Sequence, residues 1–380
     1  MKIYYITRTW PENDGANCSN LRVAFAESLK KIAPVVVVTP NYDRDTFIGN
    51  GVIRVKYDCS YTVRNRRFQY LGLNEDYLDS WVNETLPELK EQVTEEDVIY
   101  SVSGGELACI KLGSLIKKTT RCKFIIDFND PVDGDVIFGE KIAGYWGRNR
   151  VKLIDRYCRD ADAILTTSET YQNIIGERVS CPVFNRYIGY LDNPDSFANG
   201  EIRNRERINI VYSGTDTIIQ NSDVLYEACK ELPNVEVTYI CKNYAEKKKR
   251  MPENNIKCIP LMKREEYLEY MRNNADVGFV SLKGKYSRVF MPSKIYEYIN
   301  LGIPILGSLP SGGSAYDIIS SEGYGLVSEE SDIDELRQAV FKMLESPVRT
   351  GFTDNILRDR IKWSYLEREK QYLDDIVSVI

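Results

Sequence analysis

The sequence predicts an α/β protein built from two doubly wound, Rossmann-like domains, and three observations carry that prediction. A β-branched run, Pro34-Val-Val-Val-Val-Thr39, follows a strand, a loop and a helix, the order of a right-handed βαβ unit. A second series of the same kind opens at Ile208-Asn-Ile-Val-Tyr-Ser-Gly214, beyond a polar, turn-rich stretch at Asp192–Glu201 that reads as a linker. The 380 residues are enough for two domains that each bury a core.

Composition removes several function classes. A net charge of −6 argues against a general nucleic-acid binder, which needs a basic surface. Nine cysteines, an odd number without regular spacing, follow no disulfide framework and point to a reducing cytosol. Met1-Lys-Ile-Tyr-Tyr-Ile-Thr7 is too short, and the chain after this first strand too polar, for a signal peptide. No window approaches the ~20 apolar residues of a spanning helix. There is no histidine, so no His general base, Ser-His or Cys-His nucleophile pair, or His-ligated zinc is possible. No Cys-x-x-Cys pair suggests a cysteine zinc site.

In the first half, residues 2–7 read as a buried strand, followed by a polar loop to Ser19 and an amphipathic helix to about Lys31. Gly15 lies in that loop without an x-Gly-x-x-Gly partner, so the loop is not a dinucleotide fingerprint. Residues 50–95 have no clear period. Within them Arg64, Arg66 and Arg67 stand among Tyr61, Phe68, Tyr70 and Trp81; this is either a solvated face or a patch for a membrane surface or lipid-linked acceptor. Val98–Val102 is a strand, and Gly104-Gly105 opens a helix to about Lys118. Lys123–Pro131 is a strand running into a loop, and ligands of open α/β sheets bind beyond such carboxyl ends, which singles out Asp127, Asn129 and Asp130. Asp133-Gly-Asp135 reads as an acidic turn or a metal-binding pair. Arg156–Ser168 reads as a helix end and then a short strand, with Ser168 the cap of a helix at 169–177, and Pro182-Val-Phe184 as one more strand.

In the second half, the strand ending at Ser213-Gly214 leads to a helix from about Ser222 to Leu232 and a strand at Val235–Ile240. Lys247-Lys-Lys-Arg250 reads as a solvated face. After Lys257–Leu261 and a helix at 264–274, the strand Ala275–Leu282 ends before a basic loop holding Lys283, Lys285 and Arg288. Met291-Pro-Ser-Lys-Ile-Tyr-Glu-Tyr-Ile-Asn-Leu-Gly-Ile-Pro-Ile-Leu-Gly307 then reads as loop, amphipathic helix, glycine turn and buried strand. Pro292 and Ser293 mark the helix start, where a serine hydroxyl can cap orphan N–H groups, and Gly302 ends it. Lys294 and Glu297 share one flank: a helix N-terminus with an adjacent Lys is an anion site, and a Glu one turn in can accept from a sugar diol. Ser311-Gly-Gly-Ser314 is a flexible turn or a loop offering backbone N–H groups to sugar hydroxyls or phosphate. Tyr324–Val327 is the last strand, 332–344 a helix, and residues 353–380 read as helical throughout.

The phrase at 291–307 resembles the donor-site signature of bacterial glycosyltransferases of the GT-B fold, family 4, Pro-Ser-Lys-x-x-Glu-Tyr-x-x-x-Gly-x-Pro. The resemblance implies two Rossmann-like domains facing a central cleft: an acceptor domain at 1–190, to which a helix at about 362–380 crosses back, and a donor domain at 204–361. It implies that Glu297 holds the ribose of a nucleotide-sugar and that Asp130 meets the acceptor or transferred sugar. Lys294, the helix start at Ser293, and Lys283, Lys285 or Arg288 would stabilise the departing diphosphate, with Gly15, Ser213, Gly214, Gly313 and Ser314 lining the donor site. The activity implied is retaining, metal-independent transfer from a UDP- or GDP-sugar to a glycan or lipid-linked acceptor in surface polysaccharide synthesis. No cofactor is needed, and the protein is expected in the cytoplasm, with peripheral contact at the inner face of the membrane through Arg64, Arg66 and Arg67. Two departures stand out: neither Arg nor Lys follows Gly214 closely, and Asn129 replaces the family's cationic or aromatic residue. They keep open a non-catalytic GT-B module that partners another transferase. Asp133 and Asp135 keep open a metal-dependent, GT-A-like enzyme.

Overall fold

The computed structural model describes residues 1–11, 20–132, 145–191, 207–215, 217 and 219–380. Gly15, Asp133, Asp135 and the stretch at 192–201 lie outside the described residues. The chain divides into two compact units, Met1–Tyr187 with Glu369–Ile380, and Ile188–Arg368.

In the first unit the elements run β1 (Ile3–Ile6), α1 (Asn20–Leu29), β2 (Val35–Tyr42), β3 (Phe47–Gly49), β4 (Val52–Tyr57), α2 (Thr62–Tyr70), α3 (Asp79–Gln92), β5 (Val98–Gly104) and α4 (Ala108–Thr120). They continue through β6 (Lys123–Asp130), α5 (Tyr145–Cys158), β7 (Ala163–Thr166), α6 (Glu169–Gly176) and β8 (Val183–Asn185). The sheet order is β3-β4-β2-β1-β5-β6-β7-β8, parallel except for the β3–β4 edge pair. Every residue of β1 is buried, as expected of a parallel strand covered on both faces. Ser168 caps α6, its Oγ accepting from the Tyr171 N–H at 3.1 Å. Residues 50–95, without a clear period in the sequence, hold the parallel strand β4, the largely exposed helix α2 and the helix α3, which buries Trp81, Val82 and Leu89.

The second unit contains β9 (Ile208–Ser213), α7 (Asp223–Cys229), β10 (Val235–Ile240), α8 (Tyr244–Arg250), β11 (Ile256–Ile259), α9 (Arg264–Asn274) and β12 (Val277–Ser281). After these come α10 (Ser293–Leu301), β13 (Ile305–Ser308), α11 (Ser314–Ser321), β14 (Gly325–Ser328), α12 (Ile333–Met343) and α13 (Ser346–Asp359). Its sheet is parallel throughout, in the order β11-β10-β9-β12-β13-β14, and its core gathers Tyr212, Phe279, Leu306, Leu336 and Val340. A Cβ at Gly278 of β12 would fall 2.5 Å from the Tyr298 ring, so the bare glycine is what lets α10 lie this close to the sheet. Gly302 ends α10 in the left-handed region at φ 69°, and the Ile303 N–H closes the turn on the Tyr298 carbonyl at 2.9 Å.

Two expectations need correction. The tail is not one helix: a 3₁₀ turn, Arg360–Trp363, separates α13 from α14 (Tyr365–Val377). There Trp363 is buried, its Nε1 donating to the Tyr324 hydroxyl at 2.8 Å, and Tyr190 bridges to the chain on either side of Ser364. Lys247 is not on a solvated face. It is fully buried, its Nζ donating to Ser222 Oγ at 2.7 Å and to Asp223 Oδ1 at 2.8 Å, above the Tyr239 ring. A local charge run cannot reveal that one of its members turns inward to a partner 24 residues away.

From Glu369 onward α14 belongs to the first unit. There Glu369 accepts from Lys31 Nζ at 2.5 Å and from Ser28, and Tyr372 meets Phe25 of α1 edge to face at 5.0 Å.

Candidate donor and acceptor sites

In the second unit the strand order reverses between β9 and β12, so the loops beyond their carboxyl ends flank a topological switch point. β9 ends there in buried Ser213 and in Gly214, whose φ of 150° is a conformation that side-chain-bearing residues rarely adopt. From α10 the Glu297 carboxylate reaches a cluster of partners. Lys294 Nζ donates to its Oε2 at 2.6 Å, the Tyr267 hydroxyl donates to the same oxygen at 3.2 Å, and the Arg264 guanidinium pairs with Oε1. Ser213 lies beside the Tyr267 hydroxyl, which brings α9, α10 and the end of β9 together. Lys294 lies over the Tyr267 ring, 4.4 Å from its centre. Burial pushes the Glu297 carboxyl up, but Lys294 and Arg264 outweigh it and hold the group below the usual carboxylate range.

Sequence reasoning missed Arg264 and Tyr267. They come from a helix 30 and more residues before Glu297, and nothing in their spacing announces the meeting. One signal was available: an arginine at the first position of α9 opposes the helix dipole, which favours anions at that end, so it requires a partner elsewhere.

The other predicted donor residues are placed as follows. Ser293 does not cap α10; Pro292 is the capping position, Ser293 is the first helical residue, and no side chain caps the end. A proline at that position has no side-chain acceptor to offer. Lys283 is exposed beyond β12, its N–H held by the Ile219 carbonyl at 2.9 Å. Lys285 opens the 3₁₀ turn Lys285–Val289, which also carries exposed Arg288. Gly313 caps α11 and Ser314 is its first residue. A Cβ at Gly313 would lie 2.8 Å from Arg288 Cα, so these two loops pack backbone to backbone. The first amide of the Ser311–Ser314 loop is already held: the Ser311 N–H donates to the Glu329 carboxylate at 3.2 and 3.3 Å. The structure thus gathers Ser213, Lys294 and Glu297 in one cluster and Arg288, Gly313 and Ser314 in another.

In the first unit the reversal lies between β1 and β5. Arg8, just beyond β1, pairs with the buried Glu106 beyond β5, Nε to Oε2 at 3.2 Å, and Glu106 also accepts from the Gly104 N–H. Asp130 ends β6 beside them. Its side chain is open to solvent yet crowded by protein atoms; that crowding raises its carboxyl, while Arg8 and Arg22 oppose the rise. Asn129 does not stand in for a cation. Its Oδ1 accepts from Arg186 Nη2 at 2.6 Å, and the same nitrogen donates to buried Asp127 at 2.7 Å. Asp127 is therefore a structural counter-ion. Arg64 and Arg66 of α2 lie over the Tyr61 and Tyr77 rings, and Arg67 is exposed on the same helix. Among the described residues no group of three or more Cys, Asp or Glu is placed to hold a metal ion, and no helix is long and apolar enough to cross a membrane.

No family model matches the chain, and no curated protein matches its sequence. Solved structures do match. The chain is 13% identical to trehalose-6-phosphate from E. coli bound with UDP-2-fluoro glucose, covering 100% of both chains with a TM-score of 0.66. It is 12% identical to sucrose-phosphate synthase from Thermosynechococcus elongatus, covering 99% of this chain and 98% of that one with a TM-score of 0.70. A Burkholderia xenovorans alpha,alpha-trehalose-phosphate synthase (UDP-forming), in complex with glucose-6-phosphate, matches at 12% identity, 99% coverage of both chains and a TM-score of 0.66. At these identities the likeness is one of fold, and the fold is GT-B. Two separate parallel sheets and this likeness set aside the GT-A-like alternative.

Proposed function

We propose that this protein is a retaining glycosyltransferase, of the family 4 kind, that moves a sugar from a UDP- or GDP-sugar to a glycan or lipid-linked acceptor in surface polysaccharide synthesis. The observation that carries the reading is the convergence of Lys294, Glu297, Arg264, Tyr267 and Ser213 at the switch point of the second sheet. The fold adds support, because structures that share it are described with UDP-2-fluoro glucose and with glucose-6-phosphate. In this reading the bond from the sugar's anomeric carbon to the diphosphate breaks and a bond to the acceptor oxygen forms on the same face. The acceptor's proton passes to the departing phosphate oxygen. No histidine, metal or cofactor enters the step. Lys294 and Arg264 offset the charge that develops on the diphosphate, Glu297 orients the ribose, and Asp130 orients the acceptor. Arg8 and Arg22 beside Asp130 suit an acceptor that carries negative charge.

The non-catalytic alternative loses its motive, since Arg264 supplies a cation that the stretch after Gly214 lacks and Asn129 is engaged by Arg186. Titration of the purified protein with UDP and GDP, with and without EDTA, tests the proposal. Binding of one of them, unchanged by EDTA, is the expected result. Silence with both overturns the donor assignment in favour of the partner module, and binding abolished by EDTA overturns the metal-free mechanism.

A peripheral membrane role rests on a separate observation. Around Arg64, Arg66 and Arg67, the side chains of Val63, Tyr70, Leu71 and Leu73 are more than half exposed. A purely solvated face would not present apolar groups at that density, whereas an interfacial helix combines them with basic residues. The action would then be at the inner face of the membrane, in the cytoplasm. Sedimentation with phosphatidylcholine vesicles, with and without phosphatidylglycerol, reads this directly. Binding that needs the anionic lipid, weakens with salt and is lost on replacing the three arginines by serine is expected; indifference to vesicles leaves a solvated face.

A further inference from the structure

Three of the about four acceptor positions of the Glu297 carboxylate are taken by its own chain. Lys294 and Tyr267 share Oε2, and Arg264 takes Oε1. A ribose diol brings two donors to that carboxylate and about one position is open, so one protein partner has to give way. The three are not equal. Lys294 is bound to the same helix three residues away and rests on the Tyr267 ring, and Tyr267 is buried. Arg264 comes from another helix, its side chain is 45% exposed against 28% for Lys294, it lies farther from the Tyr267 ring at 6.0 Å, and the dipole of its helix does not favour a cation at that end. It is the partner that moves at least cost.

Resting on the donor-site reading above, we propose that Arg264 is an exchangeable counter-ion: a nucleoside diphosphate draws its guanidinium from Glu297 onto the diphosphate, and Oε1 then accepts a ribose hydroxyl. The diphosphate carries more charge than one carboxylate, and the planar guanidinium matches phosphate oxygens in pairs. The exchange couples the two halves of the ligand. A nucleoside alone must break the Arg264–Glu297 pair and returns nothing to the arginine. Inorganic pyrophosphate alone must compete with Glu297 for it. Only the joined ligand satisfies both, so the protein distinguishes a nucleoside diphosphate from a nucleoside at the level of this one ion pair.

The test is calorimetric titration of wild type, Arg264→Ala and Glu297→Gln with uridine, UDP and inorganic pyrophosphate, or with the guanosine series if wild type selects it. In Arg264→Ala, UDP is expected to bind about 10- to 100-fold more weakly, the range for losing a hydrogen bond to a charged group, while uridine binds as well as before or better. In Glu297→Gln, pyrophosphate is expected to bind several-fold more tightly, because its competitor for Arg264 has lost its charge. Equal losses for uridine and UDP in Arg264→Ala, or pyrophosphate affinity unchanged in Glu297→Gln, overturn the exchange. Wild type that binds UDP with these results leaves the donor site standing and removes only the exchange; wild type that binds neither nucleotide removes both.

Discussion

Replacing Lys294 by alanine is expected to slow sugar transfer about 100- to 1000-fold, the usual cost of losing one charge-stabilising contact in a transition state. The diphosphate gains negative charge as it leaves, so a cation beside it contributes more in the transition state than in the bound donor, and the loss belongs in kcat. Lys294 is placed for that task at the start of α10, held between Glu297 and the Tyr267 ring and only partly exposed. Glu297→Ala is expected to act differently. Its contact with the ribose is the same before and during transfer, so it raises KM more than it lowers kcat. Release of nucleoside diphosphate from the preferred sugar donor measures both. A Lys294→Ala enzyme with unchanged kcat would remove this residue from the chemistry. The comparison holds near neutral pH, since a depressed Glu297 carboxyl keeps its ion pairs above the ordinary value of 4.5 and loses them only as pH falls through its lower folded value.

Arg186→Met is expected to destabilise the first unit by about 3–5 kcal/mol, because it leaves the Asp127 carboxylate buried without a counter-ion. Both side chains are almost wholly inaccessible, 1% and 0% exposed. Arg186 also lies on the Phe25 ring at 3.7 Å, and Tyr100 donates to the second Asp127 oxygen at 2.8 Å, so one cation joins β6, β8, α1 and β5. Hydrogen exchange at the amides of β5 and β6 is the readout, with protection expected to fall on the order of 100-fold or more. The double variant Arg186→Met with Asp127→Asn should recover much of that loss, since no buried charge remains. Equal exchange in wild type and Arg186→Met would mean that the pair contributes nothing net.

These effects divide by how far apart in sequence their causes lie. The helix at 293–301, its glycine stop, the Lys294–Glu297 flank and the buried strands could all be read directly, because each depends on residues within one or two turns or on a β-branched run. The start of that helix at Ser293 was legible too; only the capping role was not, because Pro292 occupies the capping position. The exposed helix at 62–70 resisted reading because it buries too little apolar surface to impose a period. Lys247 was misassigned because its charge is matched by Ser222 and Asp223, far outside its own run.

By itself, then, the sequence determined two doubly wound α/β halves and the helix that presents Lys294 and Glu297, because backbone propensity, capping and burial periodicity act over a few residues. Only the tertiary structure decided which partners those charges meet. Arg264 reaches Glu297 across 33 residues and Arg186 reaches Asp127 across 59. Electrostatic pairing depends on distance in space, and it is the order of strands in each sheet that sets that distance.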